Sequence, residues 1–253
     1  MAEQSEMLPL VRQGVDALGV DLTAYQLSLL ARFGHLLVAA SRSVNLTSVT
    51  DWDRIQVVHF VDSLTLVPIL NRRVNDHNTA NNRNLTILDV GSGAGLPGIP
   101  LAIAFPDAEV TLLEATGKKA AFISSAIDRL EMLNAHVLSE RAESLGREPA
   151  YRERFSVGVV RAVGSVAVDA ELAAPFVAEG GLILIMKKRS DADREFSAAG
   201  DLVRSVGCEL ARIEDVSIPG LLEDRAIVVL RKDGSTPAVY PRRPGVAQRK
   251  SRH

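Results

Sequence analysis

The clearest chemical signal in this chain is a glycine-rich turn with a carboxylate just ahead of it. Leu85 to Val90 (LTILDV) reads as a buried strand with Asp89 near its end. Gly91-Ser92-Gly93-Ala94-Gly95 follows at once, then Leu96-Pro97-Gly98 and an apolar run with helical spacing. Glycines let the main chain approach a ligand without a Cβ clash. The first N–H groups of a helix lack internal partners and offer hydrogen bonds. Strand, turn and helix N-terminus together predict a cradle for a nucleotide-like ligand. The next apolar run, Val110-Thr111-Leu112-Leu113, ends in Glu114, 23 residues after Gly91. An ionised acid there can accept hydrogen bonds from both ribose hydroxyls.

Two ligand classes compete for this turn. Gly93, Gly95 and Gly98 satisfy GxGxxG, the fingerprint of dinucleotide binding. That register starts two residues late and places Pro97 inside the motif. The other register, Gly91-x-Gly93-x-Gly95 with Asp89 before it, suits S-adenosylmethionine better. There Asp89 holds the turn and can face the ammonium of the ligand's amino-acid part. A third predicted strand ends at Ser139-Glu140-Arg141-Ala142-Glu143. In such a topology backbone groups of Ala142 and Glu143 can read an adenine edge; the alternative is a solvated helix start.

These residues need a scaffold, and the pattern supplies one. Strands are predicted at 85–90, 109–114, 135–139, 155–160, 181–187, near 209–216 and at 226–231. Helices are predicted near 98–104, 117–131, 165–177 and 191–207. Continuous apolar runs such as Leu182-Ile183-Leu184-Ile185-Met186 fit strands covered on both faces. The alternation predicts an α/β fold, a parallel sheet with right-handed crossovers and helices on both sides. Residues 1–70 read as a helical extension. Thr23 caps a segment from Ala24 to Ala40, and Thr50 with Asp53 forms a capping-box pattern before a second helix that Pro68 is expected to close. Residues 71–84 hold six asparagines and read as an exposed loop. The main domain is expected at 85–233 and a basic tail at 234–253.

Composition narrows the function classes. The 253 residues are 47% hydrophobic, ample for one large core, and contain no membrane-length apolar run. The single cysteine, Cys208, excludes an internal disulfide and fits a cytoplasmic location. The five histidines are scattered and no cysteine pair exists, so no metal site is expected. Net charge is −2, yet Tyr240 to His253 carries five cations and no acid. A basic tail on an acidic body reads either as a nucleic-acid contact or as a solubilising end.

The run Asp89-Val90-Gly91-Ser92-Gly93-Ala94-Gly95-Leu96-Pro97-Gly98-Ile99-Pro100 resembles the glucose-inhibited division protein B family. Its members are bacterial methyltransferases acting on guanine N7 of small-subunit ribosomal RNA. Further matches follow in order: Asn45-Leu46-Thr47, His59 with Asp62-Ser63, Gly117-Lys118-Lys119, Arg141-Ala142-Glu143, Arg161-Ala162, Lys187 and Tyr240-Pro241-Arg242-Arg243-Pro244-Gly245. Lys188 departs from the pattern, standing where glycine is usual.

The resemblance implies a Rossmann-like class I methyltransferase fold, with a mostly parallel seven-stranded sheet behind the helical extension. It implies that Gly91, Leu96, Ala142, Glu143 and Arg161 contact S-adenosylmethionine; Asp89, Gly93 and Glu114 join them on the physical reading. Lys187, Lys188, Arg189, Arg242 and Arg243 are expected to meet RNA. The partner implied is small-subunit (16S) ribosomal RNA or the small subunit, approached by a monomer. Guanine N7 carries no proton, so no catalytic base is expected and positioning dominates. His59, Asp62 and Ser63, at i, i+3 and i+4, read either as part of the pocket mouth or as a buried, satisfied polar cluster anchoring the N-terminal helices.

Overall fold

The computed structural model describes residues 8–77, 85–221 and 223–243. Seven strands form one sheet: β1 (Thr86–Val90), β2 (Glu109–Leu113), β3 (Ala135–Leu138), β4 (Phe155–Arg161), β5 (Val177–Lys188), β6 (Cys208–Val216) and β7 (Arg225–Lys232). Their order across the sheet is β3-β2-β1-β4-β5-β7-β6. The first five run parallel, and β7 inserts antiparallel between β5 and β6. This is a Rossmann-like class I methyltransferase arrangement. The chain order reverses between β1 and β4, and a crevice opens outside the strand ends at such a switch point. All the expected strands are present; β5 starts four residues earlier than predicted, at Val177.

Period-two alternation splits each central strand between two cores. Ile87, Val110, Leu112, Val157, Val159 and Leu184 face one cluster, shared with the N-terminal helices. Leu88, Val90, Val160, Ile183 and Ile185 face the other. The extension is therefore no separate module. Its helices α1 (Pro9–Ala17) and α2 (Ala24–Ser41) supply much of the first core, including Leu30, Phe33 and Leu37, all fully buried.

Local chemistry explains the helix ends. Thr23 accepts from Gln26 N, and the Gln26 side chain returns to Thr23 N, completing a capping box. The next start differs from expectation. Asp51, not Thr50, is the cap, accepting from Arg54 N at 2.9 Å. A short α3 (Trp52–Ile55) runs into a π-helical stretch, Gln56–Val61, then α4 (Asp62–Leu64). Pro68 does not close this region. It occupies the first turn of α5 (Val67–His77), where its missing N–H costs nothing. The helical extension thus runs past residue 70, and the remainder of the asparagine-rich segment, 78–84, lies outside the described residues.

The other helices are α6 (Gly98–Ala104), α7 (Gly117–Leu130), α8 (Ala142–Leu145), α9 (Val166–Ala173) and α10 (Arg189–Ser205). The first part of the basic tail, residues 234–243, packs on the domain, and its remainder, 244–253, lies outside the described residues. Arg242 donates through its backbone N and guanidinium to Glu171, a fully buried carboxylate on α9. Arg147 donates to the Pro241 carbonyl at 2.5 Å, and Arg152 to those of Gly146, Thr236 and Tyr240. Losing charge-assisted bonds at a buried acceptor is costly. Glu171→Gln is expected to lower stability by about 2 kcal/mol, and Thr23→Ala, which only uncaps α2, by about 1 kcal/mol; urea unfolding of both variants checks the ranking.

Candidate active site

The glycine turn sits at the carboxyl end of β1, on the switch point. Gly91, Gly93 and Gly95 all have positive φ, at 74°, 57° and 84°. At Gly91 space is also closed: a Cβ would lie 2.6 Å from Val163 Cγ2, on the loop after β4. The turn is pinned from β2, whose Leu113 carbonyl accepts from Gly91 N at 2.8 Å and Ser92 N at 3.1 Å.

Asp89 is completely buried beneath the turn. Its Oδ2 accepts from Gly98 N at 2.8 Å, capping α6 from outside that helix, since Pro97 supplies no cap. Its Oδ1 is buried without a hydrogen-bond partner. Burial raises the Asp89 pKa to about 7, against the pull of the Gly98 amide. The expectation that Asp89 holds the turn is met by this bond; its unpartnered oxygen is an acceptor held in reserve.

Glu114 follows β2 and is also buried. Its Oε2 accepts from Gly93 N at 2.8 Å and its Oε1 from Thr116 N at 2.7 Å. Each oxygen keeps a second acceptor site. The structure therefore gathers Asp89, Gly91, Gly93 and Glu114 around one turn, with Gly93 bonded to Glu114, Asp89 to Gly98 and Gly91 to the Leu113 carbonyl. Leu96 is buried beside them. Ala142 and Glu143 open α8 after β3, where Arg141 provides no side-chain cap.

Arg161 ends β4 on the same edge, but its guanidinium is turned toward the N-terminal helices. Nη2 donates to the Val58 carbonyl at 2.7 Å and lies 3.2 Å from Asp62 Oδ2. Arg225, at the start of β7, holds the other Asp62 oxygen at 3.2 Å. His59 Nε2 meets Thr47 Oγ1 at 2.9 Å, and Ser63 Oγ donates to the His59 carbonyl. Burial, then the Arg161 charge, lowers the His59 pKa to about 4, so the ring is neutral. The cluster is buried as one of the two readings held, though not fully satisfied, because His59 Nδ1 has no partner. The π-helical stretch breaks the assumed α spacing and offers the Val58 carbonyl to Arg161.

The basic residues expected to face RNA divide sharply. Lys187 is a correction. It is nearly buried, 2.9 Å from Asp169 and 3.2 Å from Glu195, and donates to the Gly164 carbonyl. It braces the loop after β4 rather than reaching outward. Arg242 is likewise turned inward onto Glu171. Lys188 and Arg189 stay at the surface in ion pairs with Glu223 and with Asp193 and Asp215; exposed pairs of this kind exchange easily. Arg243 is exposed. Residues that sequence reasoning missed are Arg225, Asp169, Glu171 and Val163. None has a local signature, since each acts through a partner at least 18 residues away in sequence, as with Lys187 and Asp169. Ala162, with φ 56°, adds a left-handed residue without glycine beside Arg161.

The profile of the GidB family, described as rRNA small subunit methyltransferase G, matches residues 26–225. A curated relative of that name from Dehalococcoides mccartyi (strain CBDB1) is 39% identical over 92% of this chain and 94% of its own length. Another from Pelotomaculum thermopropionicum is 37% identical over 95% and 96%. Among solved structures, M. jannaschii TYW2 in complex with AdoMet aligns over 64% of this chain and 75% of that one, at 15% identity and a TM-score of 0.46.

Asp89 generates a pH prediction. Its folded pKa lies above its unfolded value, so the folded state holds a proton that the unfolded state releases between about pH 4 and 7. Stability from this group is intact below that window and falls as pH rises through it. Asp89→Asn, which keeps an acceptor for Gly98 N, should gain on the wild type by on the order of 3–4 kcal/mol between pH 4 and pH 7.5. Parallel denaturant titrations at several pH values read the difference; a constant gap would contradict the buried, proton-holding carboxyl. Gly91→Ala, by contrast, should cost stability and ligand binding together.

Proposed function

The chain belongs to the GidB family, rRNA small subunit methyltransferase G, and from that premise we propose how its residues carry out the reaction. The activity is methyl transfer from S-adenosylmethionine to N7 of a guanine in small-subunit (16S) ribosomal RNA. The observation that carries this reading is the match over residues 26–225, which spans the glycine turn, Glu114, Ala142-Glu143 and Arg161.

The turn suits the methyl donor on chemical grounds. Gly91 and Gly93 bring main chain to the ligand, and Glu114 keeps acceptor sites for two ribose hydroxyls. The unpartnered Asp89 Oδ1 matches the need for an acceptor near an ammonium, which would also restore the carboxylate's charge. The uncapped start of α8 offers the amides of Ala142 and Glu143 to an adenine edge. Leu96 supplies an apolar wall. Arg161 acts one step back, locking the arm against β4 through Asp62 and Val58.

When bound, S-adenosylmethionine supplies a methyl group on a sulfonium, ready for attack by a lone pair. Guanine N7 has that lone pair and no proton, so no side chain must act as base. The chain's task is to align nucleophile and methyl group and to exclude water. The absence of a base is consistent with His59, whose lowered pKa and buried ring suit structure rather than proton transfer. RNA phosphates are met by surface cations: Lys188 and Arg189 from the expected set on the carboxyl edge, with Lys118 at the exposed start of α7, and the exposed Arg243 next to the clasp of Arg242 on Glu171. The protein acts as a monomer in the cytoplasm. Among the described residues, no helix is long and apolar enough to cross a membrane and no group of three His, Cys, Asp or Glu is placed to hold a metal.

Methyl transfer from labelled S-adenosylmethionine to small subunits lacking the modification tests the reading, with label expected in 7-methylguanine. Transfer to another base or none at all would overturn it. Glu114→Gln should raise the KM for S-adenosylmethionine about tenfold or more, the loss of one charge-assisted bond, with a smaller change in kcat. Lys118→Ala with Lys188→Ala should raise the RNA KM and flatten its salt dependence, leaving the KM for S-adenosylmethionine unchanged.

A further inference from the structure

The protein has one tryptophan, and it is not in the core. Trp52 opens α3 half-buried, its ring lying across Gly34 of α2, where a Cβ would meet it at 2.8 Å. His35, exposed on α2, stacks on Trp52 with centroids 4.6 Å apart and planes within 8°. Beside this pair is an open cavity of about 360 Å³, lined by His35, Val38, Ala39, Arg42, Thr50 and Trp52. Arg42 is exposed on its rim and has no ion pair among the described residues, unlike Arg161, Arg189, Arg225 and Arg242.

The stack also stands on the right side of the molecule. Phe33, two residues before His35 and so on the opposite face of α2, reaches the glycine turn, with Cζ 3.6 Å from where a Gly95 Cβ would be, which sets His35 level with the turn along the helix but not facing it. Trp52 lies six residues before Val58, whose carbonyl holds Arg161 at the end of β4. Six helical residues span about 9 Å. Along α2, which starts against the end of α6 at Gln26 and reaches the glycine turn at Phe33, the stack stands at the level of the carboxyl edge.

We infer that His35, Trp52 and Arg42 form a second binding site, a stacking subsite for an unpaired nucleobase of the RNA substrate flanking the guanine that enters the cleft. This rests on the RNA-methylating reading above. Sequence-tolerant RNA contacts pair aromatic faces with a nearby cation, and proteins reach bases by stacking where the strand is single. The exposed imidazole of His35, backed by the half-buried Trp52 ring, presents such a face, the apolar cavity wall accommodates the base edge, and Arg42 meets the adjoining phosphate. Asp51 and Asp53 are also exposed near the start of α3, which keeps the phosphate on the Arg42 side.

Trp52 is its own reporter. Titrating the full chain with a short single-stranded oligoribonucleotide should quench its fluorescence, and Arg42→Ala should weaken the quenching. In methyl-transfer kinetics, His35→Ala and Arg42→Ala, both surface changes, should each raise the RNA KM about tenfold, the expected effect of losing one stacked base. The KM for S-adenosylmethionine and kcat should stay as in the wild type. Trp52→Leu keeps the cover over Gly34 but removes the π-face and should behave like His35→Ala; Trp52→Phe should recover most of the loss. Unquenched fluorescence with RNA KM values within twofold of wild type would overturn the proposal while wild-type methylation still stands. A defect seen with assembled subunits but absent with free ribosomal RNA would assign the surface to a protein and also overturn it. Failure of the wild type to methylate RNA would instead remove the reading beneath it.

Discussion

A single carboxylate with almost no access to water, Asp62, holds three distant parts of the chain in one place. Its two oxygens meet Arg161 at the end of β4 and Arg225 at the start of β7, while the carboxylate itself belongs to the N-terminal arm. Desolvating three charges is expensive, and the expense is met only because the geometry is bidentate across two partners and Val58 adds a carbonyl. Removing Asp62 would leave the guanidinium groups of Arg161 and Arg225 without the carboxylate between them. The π-helical stretch before it follows from the same constraint. The wider turn brings the Val58 carbonyl and the Asp62 carboxylate to one guanidinium.

This arrangement also changes how the charge of the protein should be viewed. A count of arginines and lysines suggests a broad basic face for RNA. Much of that charge is committed internally: Lys187 to Asp169 and Glu195, Arg242 to Glu171, Lys232 to Glu153. The first of these pairs braces the loop after β4, on the cleft side of the sheet, while the Lys232–Glu153 pair closes the opposite, amino-terminal edge. Fewer cations remain at the surface, and those such as Lys188 and Arg189 sit in exposed pairs that exchange easily.

The strands and the glycine turn were legible because their physics is local. Apolar runs of five to seven residues, a period of two, and glycines where φ is positive all lie within short windows of sequence. Glu114 was legible for the same reason, as the first acid after β2. The partners of Arg161, Lys187 and Arg242 were not. Each pairing spans a sequence distance that no spacing rule covers, 99 residues between Asp62 and Arg161 and 71 between Glu171 and Arg242. Pro68 misled because a proline that closes one helix and a proline that opens the next look alike in sequence. The capping assignment slipped by one residue, from Asp51 to Thr50, since both can accept from the same turn.

The place of β7 in the sheet has a consequence for how the protein comes into being. It is the seventh strand in sequence, yet it lies between β5 and β6. Until it arrives, β5 has an open edge along Ile183, Leu184 and Ile185, and β6 has no strand to pair with. An apolar edge of this kind recruits strands from other molecules. A chain interrupted before Arg225 would therefore be sticky as well as incomplete, and assembly of the right half of the sheet must be nearly all-or-none. The same insertion that joins the two halves of the sheet delivers Arg225 to Asp62, so the N-terminal arm is locked onto the sheet in the step that covers the open edge of β5.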